Sequence, residues 1–306
     1  MSDLIVHHYT LSPFSEKVRA MLGYAGLSWQ SVQVKEMPPR PLLAPLAGGY
    51  RKIPVAQIGA DVFCDTRTIS REIARLGNKP ELVLENCSPE VQEFVRQVDL
   101  DIFLACIISA GNLTLLRRVL KESTLADLGK LLWDRLRMGS KARVKAHGPR
   151  QMKRMVRAHL DHLEAMLAEQ PFLFGEQPNA GDFSAYHSLW FQRDLANQPA
   201  IKNYPNVNTW MDRLQAFGQG ERREINADQA LEIARTASPR ALANSNQDDT
   251  LIGHTVSLAP DDYGRDPVTG TLVTSNDQGW VVARHEPAVG EVHVHFPRQG
   301  FVIRAA

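Results

Sequence analysis

Cysteine is scarce in these 306 residues: Cys64, Cys87 and Cys106 make neither a CxxC pair nor an even-numbered framework. That fits a reducing compartment rather than a disulfide-stapled secreted fold. Net charge is nearly absent as well, at +1, so no global field argues for nucleic acid. The longest apolar run, Asp101–Ala110, falls short of the roughly 20 residues a membrane helix needs. The opening MSDLIVHH lacks the basic and apolar regions of a secretory signal. A cytoplasmic protein with no membrane or nucleic-acid partner is therefore expected. Walker loops, GxGxxG, HExxH and nucleophile elbows are missing, which removes the commonest nucleotide, zinc-protease and serine-hydrolase signatures.

What is present begins with a short amphipathic helix. In SPFSEKVRAMLGYAG, Ser12 is placed as an N-cap and Pro13 takes the first helical position, where its missing N–H costs nothing. Val18, Met21, Leu22 and Ala25 recur on one face, and Gly26 ends the helix. Glu16, Lys17 and Arg19 predict a polar outer face. The helix stands between two strand-like runs, LIVHHY and WQSVQV. A turn of this kind presents a hydroxyl and unpaired amides at a helix N-terminus, a favourable place for an anion. The Pro-rich loop MPPRPLLAPLAGGY follows, then KIPVAQI, a tight GAD turn, VFC, and the helix DTRTISREIARLG. The order over 1–80 is thus β-α-β, a loop, then β-β-α.

From Ser88 the pattern is helical. SPEVQEFVRQVDLDIFLACIISA opens the run, and further helices are predicted around 113–138, 150–169, 181–195, 206–217 and 224–236. Asn179 and Asp182 have capping-box spacing. After a linker over 237–249 the period changes to five short alternating runs, which predict a small antiparallel sheet or partial barrel over 250–306.

Taken together, SPFSEKVR, KIPV, the DT that opens the next helix and AGDFSAYHSLW resemble the glutathione transferases. The resemblance covers about residues 1–225, and the tail is an addition to it. It implies an α/β thioredoxin-like domain over 1–80, an all-helical domain over 88–236, a homodimer, and glutathione as co-substrate for attack on a small electrophile. It further implies a cis Ile53–Pro54 bond that exposes the Val55 backbone to the tripeptide. Asp65 and Thr66 would meet the γ-glutamyl end, Arg51 and Lys52 the glycyl carboxylate, and Ser12 the sulfur. Ser15 and Tyr9 remain alternatives for that last role. Phe14, Phe103 and Ile107 are the candidate apolar pocket. A non-catalytic binding or regulatory protein using the β extension is the rival reading.

Other signals carry less. Cys64 reads as core packing at a strand end and Cys106 as core of an apolar helix. Ten Lys or Arg against Asp134 alone over 130–157 read as a solvated face, because Trp133 is the one aromatic available for stacking there. His293 and His295 project from one side of a strand, with His285 on a neighbouring one. That pattern suits a metal pair or an ordinary sheet surface, and no metal is assigned. His159 and His162, with Glu164 close by, are a weaker set.

Overall fold

The computed structural model describes residues 4–122, 129, 133–134, 148–242 and 249–306. Strand β1 (Ile5–His8) lies between β2 (Ser28–Gln33), its parallel neighbour, and β3 (Val55–Ile58), which runs antiparallel and turns at Gly59 into β4 (Asp61–Cys64). Helix α1 (Pro13–Tyr24) connects β1 to β2, a short α2 (Ala44–Ala47) precedes β3, and α3 (Thr66–Gly77) follows β4. This is the expected thioredoxin-like half.

The helical half contains α4 (Pro89–Gln97), which continues through one wide π turn (Val98–Ile102) into α5 (Phe103–Ser109). Then come α6 (Leu113–Glu122), α7 (Pro149–Met166), α8 (Ala180–Trp190), α9 (Pro205–Ala216) and α10 (Ala227–Thr236). Much of the basic run over 130–157, and most of the expected 113–138 helix beyond Glu122, lie outside the described residues. No single helix among the described residues is long and apolar enough to cross a membrane.

Two features of the sheet differ from expectation. Glu221–Glu224 is a strand, β5, paired in parallel with β2. All of its residues are exposed, so no apolar alternation announces it; it forms along the ladder edge that β2 leaves open. The tail, in turn, forms the expected antiparallel strands but does not stand apart from the first sheet. Its strands β6 (Thr255–Pro260), β7 (Val268–Asn276), β8 (Gly279–Glu286), β9 (Gly290–Pro297) and β10 (Phe301–Ala305) are antiparallel among themselves. Strand β9 then joins β4 in parallel, with Val62 opposite Val294, giving one 10-stranded sheet ordered β10-β6-β7-β8-β9-β4-β3-β1-β2-β5.

Alternation along these strands feeds two cores. Val6, Ala56 and Phe63 belong to a cluster with Met21, Ile69, Leu160, Phe183 and Trp210, which binds the sheet to α1, α3 and the helical half. Val55, Val62 and Cys64 belong to another, with Tyr50, Leu258, Val282, Val294 and Phe296, which binds it to the tail. Helix α1 lies between the sheet and the helical half, and the polar outer face expected for it is buried at Glu16, Lys17 and Arg19. Arg19 bonds Glu16 at 2.9 Å and His8 Nδ1 at 3.0 Å, while Lys17 Nζ donates to Asp99 at 2.8 Å and Ser184 at 2.7 Å. Charges are tolerated there because each has a partner.

Candidate functional site

Three chain segments meet at one end of the central strands. Val55, the first residue of β3, stands opposite His7 of β1 and Cys64 of β4. Chain leaving β1 reaches the start of α1 within a few residues, and chain leaving β4 enters α3 at once. The N-termini of both helices therefore flank the entry to β3, and their free amides favour a bound anion.

Ser12 caps α1 as expected: its Oγ accepts from Ser15 N at 3.2 Å, and the residue is buried. The bond is one it accepts, so the hydroxyl hydrogen remains to be donated. Ser15 is fully buried and its Oγ finds no partner among the described residues. Tyr9 is half-buried against the tail-side core. At the other helix, Asp65 caps α3 through a 3.0 Å bond from Arg67 N and holds φ at 81°. Such a backbone costs a non-glycine residue about 1–3 kcal/mol and is typical of functional turns. Thr66 follows it as the first helical residue.

The Ile53–Pro54 bond is cis. Val55, however, is not an open edge. It is completely buried with strands on both sides. Arg51 and Lys52 are also not free. Lys52 is paired with Asp262, and Arg51 with Asp134 and Asp266. Arg67, which no motif singles out, donates to the Gln299 carbonyl at 3.1 Å. Tail residues thus reach this end of the sheet at several points, a consequence of the β4–β9 pairing that no local pattern encodes.

Phe14 and Phe103 do come together, with ring centres 4.7 Å apart, and His187 joins them at 4.6 Å from Phe14. The rings pack on one another. Ile107 lies one turn beyond Phe103 and is half-buried. Burial pushes His187 down to about 4, so it is neutral at pH 7. Burial would raise the Asp99 carboxyl, but Lys17 and His187 hold it below its ordinary value. The space enclosed by Thr66, Arg67, Ser70, Lys17 and Asp99 is about 10 Å³, enough for about one water. A larger cavity of about 530 Å³ lies at the opposite end of the strands, by Gly59, Asp61, Arg75 and Arg240.

The remaining sequence signals have structural explanations. Cys64 is buried in the tail-side core, where burial raises its thiol well above the ordinary range, and burial pushes Cys106 up to about 12. His295 Nε2 lies 2.6 Å from Asp61 and its ring stacks on Phe63, His293 faces Glu291 at 3.4 Å, and His285 is exposed. Among the described residues, no three His, Cys, Asp or Glu side chains gather as metal ligands.

A thioredoxin-like half carrying two capped helix starts beside a cis-proline strand, backed by a helical half, defines a glutathione transferase-type protein. The chain belongs to the glutathione S-transferase family: residues 6–81 match the family's N-terminal domain and 145–213 its C-terminal domain. A GST-like protein from Pseudomonas syringae is 30% identical, with 100% of each chain covered and a TM-score of 0.80, so the tail is part of a shared architecture. FtsZ-localized protein A of Caulobacter vibrioides is 26% identical over 220 residues, 69% of this chain and 86% of that one. A glutathione S-transferase-I solved with lactoylglutathione is 17% identical over 69% of this chain and 93% of its own, with a TM-score of 0.50, a likeness of fold alone.

Proposed function

We propose that the cleft takes a γ-glutamyl-cysteinyl thiol of the glutathione type and that Ser12 directs its hydroxyl at the sulfur. The observation that carries this reading is the placement of the α1 and α3 N-termini on either side of the entry to β3. In it, Asp65 and Thr66 receive the γ-glutamyl end. A free thiol has a pKa near 8.5, and lowering it by about 2 takes roughly 2.7 kcal/mol, within reach of a charge-assisted bond and a helix terminus. The thiolate then attacks an electrophile held near Phe14, Phe103 and Ile107. The protein works in the cytoplasm on small molecules. A homodimer of it uses a face other than the β4 edge, which β9 already occupies.

One observation favours a second reading, binding without turnover: the Arg51 and Lys52 charges are taken by acids. The relative from Caulobacter is likewise named for where it localises and not for a reaction. Calorimetry with glutathione, followed by a conjugation assay on a general aromatic electrophile, tests both. Binding with turnover supports the transferase and binding alone the second reading. Failure to bind any γ-glutamyl-cysteinyl thiol overturns both.

A further inference from the structure

The loop joining β6 to β7 lays its side chains on the two cations ahead of Pro54. Lys52 Nζ lies 2.7 and 2.8 Å from the two oxygens of Asp262, 210 positions downstream, and 4.2 Å from the centre of the Tyr263 ring. Arg51 faces Asp266 at 3.6 Å and also bonds Asp134. A Cβ on Gly264 would stand 3.5 Å from Arg51 Cδ and 3.7 Å from Lys52 Cγ, so the loop backbone itself rests on both side chains. Two cations here meet three carboxylates, Asp134, Asp262 and Asp266, so neither cation is left with charge to spare. Arg40, the next cation along this segment, is engaged by the carbonyls of Lys35, Glu36 and Arg51.

We propose that Asp262 and Asp266 select the thiol: the cleft prefers a γ-glutamyl-cysteinyl thiol whose far end is uncharged over glutathione itself. This rests on the reading above that the cleft takes such thiols, with the far end of the peptide reaching Arg51 and Lys52. A glycyl carboxylate must either displace Asp262 from a two-oxygen contact with Lys52 or sit beside it as a like charge, and both are unfavourable. An amide end faces neither obstacle. Lys52–Asp262 is the stronger barrier, because its side chains are only 18% and 24% exposed, whereas Asp266 is 57% exposed and its pairing is screened by water.

The test is calorimetric titration of the full chain with glutathione and with its C-terminal glycinamide, repeated on the double variant Asp262→Asn, Asp266→Asn. The native protein is expected to bind the amide about tenfold more tightly. In the variant the order reverses, as Lys52 takes the carboxylate while Arg51 keeps Asp134. Hydrogen exchange on the unaltered protein gives a readout independent of the variant's folding: glutathione should speed exchange over 261–266, and the amide should leave it unchanged. Equal affinities in the native protein, a preference for glutathione, or a variant that keeps the native order would overturn the selection while leaving the cleft assignment intact. Binding of neither peptide by either protein would overturn both.

Discussion

Two buried carboxylates in this molecule are held in opposite ways. Asp182, at the start of α8, takes N–H donors from Leu173 N at 2.9 Å, Asn179 N at 3.0 Å and Trp210 Nε1 at 2.8 Å, none more than 28 positions away. Burial pushes its carboxyl up to about 6 despite those bonds. Asp61, on β4, takes His295 Nε2 at 2.6 Å and Arg240 N at 2.9 Å, from 234 and 179 positions downstream. Arg240 also bonds Glu72 of α3 at 2.8 and 3.0 Å. The first carboxylate organises its own stretch of chain, and the second clasps the tail to the sheet. Loss of one should be felt throughout the helical half, and loss of the other at the tail.

Acid gives the largest expected effect on this contrast. Burial lowers His7 and His187 to about 4, and His8 and His159 to about 3, from an ordinary 6.5. Between pH 6.5 and 4 the unfolded chain therefore binds protons that the folded chain refuses. This stability is complete above pH 6.5 and is lost as the pH falls, up to about 3 kcal/mol for each histidine. Asp182 works the other way: its folded value is raised, so between pH 6 and 3.8 the folded chain holds a proton the unfolded one has released, which returns about 3 kcal/mol. The histidines win. Urea unfolding at about pH 7 and about pH 4.5 should show a loss of several kcal/mol, and a flat profile would contradict the burial of these rings.

Asp182→Ala comes next. It leaves Leu173 N, Asn179 N and the Trp210 indole N–H without their acceptor, at a cost of about 3–5 kcal/mol. It also removes the compensation on acidification, so the pH dependence below 6 should steepen. A loss below about 1 kcal/mol would mean that water replaces the carboxylate, which its complete burial argues against.

Asp61→Ala should cost about 2–3 kcal/mol, chiefly by leaving His295 without its acceptor and loosening Arg240. Its signature is place rather than size. Limited proteolysis beyond residue 240 and amide exchange in β9 should accelerate while α8 stays protected. If α8 opened in parallel, the clasp would be no more local than the cap, and the contrast would fail.

How far these features are legible in the sequence follows the same division. Asn179 and Asp182 show capping-box spacing, and Ser12–Pro13 announces a helix start, because caps act over three or four residues. That Asp182 also accepts from Trp210 is not legible, since the contact needs α9 packed on α8. The alternation of His293 and His295 tells which face they share but not the neighbour they meet; period 2 fixes a face, and only the β4–β9 register supplies Asp61. The same holds in the cleft. Ser12, Asp65 and Thr66 can be placed from motifs within their own helices, whereas the partners of Lys52, and one of those of Arg51, come from a loop that the sheet carries to them. Amphipathic spacing misplaces Glu16, Lys17 and Arg19 because it assumes one wet face, and α1 has none at these positions.

Ser12 gives the smallest effect and the sharpest question, because it is a local cap like Asp182 that is also assigned an outside partner. Ser12→Ala removes the acceptor of Ser15 N and should cost about 1 kcal/mol, whereas Ser12→Gly, tolerated as a cap, should cost only about a few tenths. Both delete the hydroxyl. If Ser12 directs a hydrogen bond at bound sulfur, the two variants should raise the pKa of the bound thiol equally, read from the ultraviolet thiolate absorbance of the complex against pH, despite their unequal stabilities. If the thiol titrates as in the native protein in both, the hydroxyl serves the helix alone, and the cleft must stabilise any thiolate through the α1 amides.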